Sequence, residues 1–441
     1  MKNKTFIIQT FGCQMNKNDS ELMSVSLKKT GFKEAAHPSE ANIFIFNTCS
    51  VREHAEERAI SRIESIRKEV LAKNGLVILV GCMAQRKGRE FLQDGLADLA
   101  IGPYQAPKIG ELLKVYLDDK ERDLFISQKK ADLENRVNAD LISEQNDNQW
   151  HKFVSITHGC DNYCSYCIVP YVRGELVSFP SKDILEYIDL LSQNGIREIT
   201  LLGQNVNQFG LNSGDIPFYK LLEQVAKIKG LIKINFLTSH PKDFNLDTVK
   251  VIKDYPNISR GIHLPLQSGS DEILALMRRD YDLNHFLKIV EILDKELGSY
   301  SLSTDLIVGF PGEEEDHYQE TLEAVRKIQF DDAFTYIYSP RVGTPAADLD
   351  DDLGKKEKIR RLQKLIKTQR HIGQKKLKAR IDQIEEVIVE KISKRSLVRV
   401  FGKTLLNHPI IVSGSSKDIG QKIKVKVVDL IGSTLIGKKV V

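Results

Sequence analysis

The sequence is short of several things, and each shortage excludes something. Cysteine is scarce: six in 441 residues, far too few for a disulfide scaffold. Long apolar runs are missing, and nothing approaches the roughly 18 residues that would span a bilayer as a helix. Residues 1–11 carry lysines but no long apolar stretch and no small-residue cleavage site, so they do not read as a signal peptide. A cytoplasmic enzyme or binding protein, with no membrane partner, is the expectation. Net charge is also small, +4 from 64 basic and 60 acidic residues. What is present is a globular balance, 41% hydrophobic and 28% charged, in a chain long enough for two or three domains.

The few cysteines fall in two sets of three. Cys13, Cys49 and Cys82 each come one to three residues after a short apolar run, at 5–10, 43–46 and 76–80. Helical patterns at 20–30 and 54–72 separate those runs. Apolar strands alternating with helices predict a doubly wound parallel sheet. In such a sheet the strand C-termini share one edge, where ligands bind, so the three thiols converge there. Three buried structural thiols are the competing reading.

The second set, Cys160, Cys164 and Cys167, is a tight C-x3-C-x2-C after the run 153–157. Three thiolates in eight residues can wrap a corner of an iron–sulfur cube. Zinc is the rival, but structural zinc takes four ligands and neither set has a fourth cysteine. Redox disulfides are a further alternative. Three thiolates leave one metal position open, the mark of a catalytic rather than a structural site.

From residue 153 to about 340 strands and helices alternate, with strands expected at 153–157, 198–202, 233–237, 260–264, 303–308 and 333–337. Helices are expected at 182–193, 218–229, 283–297 and 314–328. Six βα units in fewer than 200 residues predict an open, partial (βα)6 barrel, since a full barrel needs about 250. The loops after its strands, 203–205, 238–240, 263–270 and 309–312, are rich in glycine and polar residues suited to a ligand, or are simply turns. His240 and His263 are structural or functional on equal terms, and Asp305, within a strand, reads as a buried hydrogen-bonded carboxylate.

Charge is divided along the chain. Residues 355–379 read as a helix with net +10 and an apolar stripe of Ile359, Leu362, Leu365 and Ile366. Residues 380–441 add +6, so the first 354 carry −12. Short β runs at 386–390, 396–401, 409–412, 422–428 and 433–440 predict a small β-barrel. A basic helix next to a small barrel points to phosphate and nucleic acid, with a solvated basic face as the plain alternative. Arg399, Phe401, Lys403 and His408 are the candidate RNA contacts.

The C-x3-C-x2-C after the first strand of an α/β domain resembles the radical S-adenosylmethionine signature. The three upstream cysteines, in Gly12-Cys13-Gln14-Met15-Asn16 with Asp19-Ser20-Glu21, in Asn47-Thr48-Cys49-Ser50-Val51-Arg52, and in Gly81-Cys82-Met83-Ala84-Gln85, resemble the methylthiotransferases. Segments 202–207, 264–270, 304–313 and 338–344 extend the likeness over the whole chain. The start looks most like the branch acting on isopentenyladenosine in tRNA. Arg173, Gly174, Ser178 and Pro180 match the family, whereas Leu176 stands in place of an acid and Phe179 in place of an arginine.

The resemblance implies an N-terminal methylthiotransferase domain (1–125), a radical S-adenosylmethionine core (146–376) and a TRAM RNA-binding barrel (379–441). It implies two 4Fe-4S clusters, an auxiliary one on Cys13, Cys49 and Cys82 and a catalytic one on Cys160, Cys164 and Cys167. It places S-adenosylmethionine against Gly203, Gln204, Ser239, Gln267, Arg173 and Ser178. The implied reaction uses a first S-adenosylmethionine to methylate sulfur at the auxiliary cluster. A second gives a 5′-deoxyadenosyl radical, which suits an aromatic C–H with no acidic proton. The product is a methylthio group on carbon 2 of N6-isopentenyladenosine at position 37, in a single-stranded loop whose bases splay cheaply. Implied partners are the tRNA anticodon stem-loop and an electron donor such as a flavodoxin or ferredoxin, with the enzyme a monomer. Threonylcarbamoyl-adenosine, a ribosomal protein, or a non-catalytic iron–sulfur RNA-binding redox sensor are the alternatives.

Overall fold

The computed structural model describes residues 4–50, 53–121, 123–127, 150–211, 213–394, 396 and 398–440. Val51 and Arg52 of the Cys49 motif, and the expected start of the core at 146, lie outside them.

The N-terminal part runs β1 (Thr5–Thr10), α1 (Gln14–Lys29), β2 (Lys33–Glu34), β3 (Ile43–Thr48), α2 (Glu53–Ala72), β4 (Leu76–Gly81), α3 (Cys82–Gln93), β5 (Leu99–Ile101), α4 (Ile109–Asp118) and β6 (Leu124–Phe125). The six strands pair in parallel in the order β2-β1-β3-β4-β5-β6. Period-two alternation sends Ile43, Ile45, Ile78 and Val80 to one face, against Met23 and Leu27 of α1 and Ile109 and Leu113 of α4. Phe44, Phe46, Val77 and Leu79 go to the other, against Ile63 and Ile66 of α2 and Phe91 of α3. Helices on both faces make the sheet doubly wound, as expected. The strand order reverses beside β1, which puts the ligand crevice between the ends of β1 and β3.

The helices begin earlier than their apolar periodicity suggested. Cys13 is the N-cap of α1, not seven residues upstream of a helix, and α3 starts at Cys82 itself. Two thiols thus sit at helix N-termini, where the dipole favours thiolate.

The central part continues with β7 (His151–Ser155), β8 (Thr157–His158), α5 (Val169–Arg173), β9 (Val177–Ser178), α6 (Ser181–Gln193), β10 (Glu198–Leu202), α7 (Phe218–Ala226), β11 (Lys233–Phe236), α8 (Leu246–Asp254), β12 (Gly261–His263), α9 (Asp271–Leu276), α10 (Leu283–Leu297), β13 (Ser301–Val308), α11 (Glu315–Ile328) and β14 (Asp332–Ile337). Six parallel strands form two sheets, β7-β10-β11 and β12-β13-β14, joined by a single bridge from Ile234 to Ile258. This is the partial barrel expected. The short helices α5, α8 and α9 were not anticipated.

Helix α12 (Lys355–Lys378) packs along β14 and leads to the closed barrel β15 (Ile384–Ile392), β16 (Arg399–Thr404), β17 (Pro409–Ser413), β18 (Lys422–Ile431) and β19 (Thr434–Lys439). Val387, Val389, Val400, Ile410, Val412, Val425 and Leu435 fill its interior. The stripe expected on α12 is displaced: its buried face holds Lys358, Arg361, Leu365, Gln369, Ile372 and Leu377, while Ile359 is 38% exposed. Ion pairs turn the helix this way, Arg361 to Glu313 at 2.7 Å and Lys358 to Asp351 at 2.5 Å.

The small barrel plugs the N-terminal end of the central one. Ser259 Oγ donates to Leu405 O (2.9 Å), Ser301 Oγ to Leu406 O (2.5 Å) and Asn407 Nδ2 to Gly261 O (3.3 Å). His408 belongs to this plug, 8% exposed with Nε2 3.5 Å from Asp331 Oδ1, so it is not the open RNA contact that its sequence position suggested. Among the described residues no helix is long and apolar enough to cross a membrane.

Candidate active site

The N-terminal thiols meet at one sheet edge. Gly12 makes the meeting possible: its φ is +131°, and a Cβ there would lie 2.4 Å from Cys49 Cβ. A side-chain network holds the strand ends in register. Asn16 Nδ2 donates to Asn47 Oδ1 and Thr48 O, both at 3.0 Å. Asn47 Nδ2 returns bonds to Asn16 O (2.7 Å) and Ser20 Oγ (2.9 Å), and Thr48 Oγ1 donates to Val80 O at the end of β4 (2.7 Å). Interaction with Cys49, against burial and with help from Arg173, holds the Cys13 thiol at about 6. Burial pushes the Cys82 thiol up against the opposing pull of Arg173.

The central thiols sit on one loop, tied by backbone. Cys160 N donates to Gly174 O (3.1 Å) and Cys167 N to Cys164 O (2.9 Å). Gly159, at φ +75°, lets this loop close, since a Cβ would stand 1.9 Å from Glu175 O. Burial pushes Cys160 up to about 11 and raises Cys167 further. No two of the six cysteines are joined by a disulfide. Among the described residues no three His, Cys, Asp or Glu close on a point as ligands of a single ion would. Each set offers three soft sulfur donors, the donor chemistry that iron–sulfur clusters take.

The sets are adjacent. Helix α5 starts two residues after Cys167, and its Val172, with Ile168 before it, packs on Cys82. Arg173 ends α5 and crosses to the N-terminal set: Nε donates to Cys82 Sγ (3.3 Å) and Nη2 to Asp19 Oδ2 (2.9 Å). Asn18 Oδ1 accepts from Ser155 N (3.2 Å) and Oγ (2.9 Å), fixing α1 to β7.

Of the residues expected to touch S-adenosylmethionine, Gly203, Gln204, Ser239 and Gln267 lie at or just beyond the C-terminal ends of β10, β11 and β12. Gln204 Oε1, Ser239 Oγ and Gln267 Oε1 are buried with no hydrogen-bond partner among the described residues. Buried polar atoms normally have one, so these fit a polar ligand. Gln267 is held at φ +72° by bonds to Asp305 O and from Ile307 N. Ser178 Oγ instead accepts from Gly210 N (3.0 Å), and Arg173 faces the other triad. His263 pairs with Asp305 at 3.3 Å, and His240 Nδ1 accepts from Lys242 N. The two departures from the family pattern are packing residues: Leu176 and Phe179 are buried, the latter in the main core.

Arg279 went unread in the sequence. It is buried, and its Nη1 donates to Cys164 Sγ (3.4 Å), Nη2 to Pro265 O (3.1 Å) and Nε to Tyr281 Oη (3.2 Å). An Arg-Arg pair directly after the apolar run 273–277 was its signal in the sequence. On α12, Lys358, Arg360, Arg361 and Lys376 are ion-paired. Lys364, Lys367, His371, Lys375 and Lys378 form an exposed row at helical spacing. Arg399 is exposed, Phe401 lies under Lys391 (5.1 Å to the ring) and Lys403 reaches Glu390 at 3.7 Å.

Comparison with known proteins agrees with this architecture. Residues 5–102 match the family described as Uncharacterized protein family UPF0004, and residues 154–325 match the Radical SAM superfamily. The fold resembles a radical S-adenosylmethionine methyltransferase, TsrM, from Kitasatospora setae, with TM-score 0.57 at 10% identity over 79% of this chain and 77% of that one. The tRNA-2-methylthio-N(6)-dimethylallyladenosine synthase of Natranaerobius thermophilus is 38% identical over 96% of this chain and 94% of its own. That of Clostridium botulinum is 39% identical over 99% and 97%. With relatives this similar along nearly its whole length, the chain belongs to the family of tRNA-2-methylthio-N(6)-dimethylallyladenosine synthases.

Proposed function

We propose that this protein attaches a methylthio group to carbon 2 of N6-isopentenyladenosine at position 37 of tRNA. The observation that carries the reading is the meeting of two three-thiol sets across α5, each one ligand short of closing a four-metal cluster. Clusters on these thiols, with S-adenosylmethionine at the central one, supply the one-electron chemistry needed to activate an aromatic C–H.

The chain's own residues bind, orient and exclude water. Cys160, Cys164 and Cys167 hold the catalytic 4Fe-4S cluster, and Cys13, Cys49 and Cys82 the auxiliary one. Gln204, Ser239 and Gln267 offer their spare oxygens to the amino and hydroxyl donors of S-adenosylmethionine, and Gly203 lets the chain pass close to it. Ser178 shapes the wall by holding the turn at Gly210. Burial of Cys49, Cys82, Cys160 and Cys164 keeps water from the reacting atoms. The exposed row on α12 and Arg399 suit the phosphates of an anticodon stem-loop. The working units are residues 1–125, 146–376 and 379–441, in a cytoplasmic monomer that takes electrons from a flavodoxin or ferredoxin.

Nucleoside analysis tests this directly. A strain lacking the gene should lose 2-methylthio-N6-isopentenyladenosine and accumulate the isopentenyl precursor. The wild-type gene should restore the product, whereas Cys164→Ala and Cys49→Ala should not. In vitro, Cys164→Ala should abolish formation of 5′-deoxyadenosine and Cys49→Ala should spare it. An unchanged tRNA profile, with a methylthio group lost from a protein or another nucleoside, would overturn the assignment.

A further inference from the structure

Two buried arginines approach thiols, and they are not equivalent. Arg279 spends all three of its nitrogens on Cys164, Pro265 and Tyr281. Arg173 spends Nε on Cys82 and Nη2 on Asp19, while Nη1 is buried with no partner among the described residues. A buried charged donor left unmet is costly, so such a group normally faces something that accepts from it. The guanidinium is planar and both other nitrogens are fixed, so the direction of Nη1 is fixed too. Arg173 is 2% exposed, at the end of the helix that packs on Cys82. Asp19 is itself buried at 1% and orients the fork.

We infer that Arg173 is a sulfur-anion clamp at the N-terminal triad, giving Nε to the Cys82 thiolate and Nη1 to an anionic sulfur at the open metal position. That sulfur is either a sulfide of the cluster or an added sulfide ligand, since both are soft anionic acceptors. The inference rests on the reading of Cys13, Cys49 and Cys82 as cluster ligands. It moves Arg173 from S-adenosylmethionine binding to sulfur handling. Donors aimed at cluster sulfur, and positive charge near it, stabilise the reduced form and raise its potential.

The test uses the full-length chain with Cys160, Cys164 and Cys167 replaced by alanine, so that only the N-terminal cluster is reconstituted. Redox titration followed by electron paramagnetic resonance gives its midpoint potential, and added sodium hydrosulfide gives its sulfide affinity. With iron content retained, Arg173→Gln should move the midpoint to more negative potential, and Arg173→Lys should fall between it and the parent. A shift in potential alone assigns the acceptor to the cluster's own sulfide. A further loss of tenfold or more in sulfide affinity assigns it to an added ligand. Unchanged potential and affinity in Arg173→Gln would overturn the inference, as would failure of both variants to take up iron while still folded, because Arg173 would then be structural. If the parent itself takes up no iron, the cluster reading falls first and the clamp with it.

Discussion

The two cysteine triads end in similar surroundings but are built in opposite ways. The central one is local: eight residues on one loop, held by main-chain bonds, by side-chain bonds of Asp161, Asn162 and Ser165, and by a buried arginine bonded to a thiol, a carbonyl and a tyrosine hydroxyl. The N-terminal one is assembled from three strand ends 33 to 36 residues apart, locked by amide side chains, with its arginine bonded to Asp19. The local triad depends on how one loop closes. The distributed triad depends on the register of a whole sheet and on a contact from the neighbouring part of the chain. Lesions should therefore separate them.

The largest effect is expected at the glycine before each lead cysteine. Gly12→Ala puts a methyl 2.4 Å from Cys49 Cβ, and Gly159→Ala puts one 1.9 Å from a carbonyl oxygen, both at positive φ. Reconstituted wild-type protein should hold about eight irons, as two four-iron clusters. Gly12→Ala should fall to about four, keeping the cluster that cleaves S-adenosylmethionine, and Gly159→Ala to about four, losing that activity. If either change emptied both sites, the triads would not be independent and the contrast drawn from their construction would be wrong.

A smaller effect is expected from Arg279→Met, which removes the donor to Cys164 but leaves all six thiols. Loss of a hydrogen-bonding neighbour of a metal ligand costs about 10–100-fold. The rate of 5′-deoxyadenosine formation should fall by that range with iron content unchanged. Arg279→Lys should not rescue it, since an ammonium cannot span Cys164, Pro265 and Tyr281 together. Full activity in the lysine variant would show that charge alone suffices at the central triad.

The sequence was most readable where local rules operate. The placement of Cys13, Cys49 and Cys82 after strands was legible because apolar runs repeat before each of them, and strand ends share an edge. The short barrel was legible because its turns are marked by glycine. What escaped depends on tertiary contact. Lys358 and Arg361 face inward on α12 because Asp351 and Glu313 meet them there, which no hydrophobic pattern could reveal. His408 looks like a surface residue of a nucleic-acid barrel until the 404–408 loop is seen plugging the central barrel. Arg173 follows the second triad in sequence but serves the first in space, because α5 turns it across the interface.

The smallest of the expected effects probes the amide lock between the strand ends of the distributed triad. Asn47 accepts from Asn16 and donates to Asn16 O and Ser20 Oγ, all in a buried setting. Asn47→Ala strips these bonds and leaves the Asn16 amide short of one acceptor, at a cost of about 1–3 kcal/mol. Chemical denaturation of the apo protein should show that loss in the transition that reports the N-terminal sheet. Iron binding at the central triad should be unmoved, since the contacts that hold its loop, from Gly174 O and Cys164 O and through Asp161, Asn162 and Ser165, do not involve Asn47. The N-terminal cluster should still form, because Thr48 continues to bond Val80 O and keep β3 and β4 in register, but it should be lost faster to a chelator. Equal chelator sensitivity in the variant and the wild type would mean that strand pairing alone sets the geometry, and that the amide network adds stability without positioning the thiols.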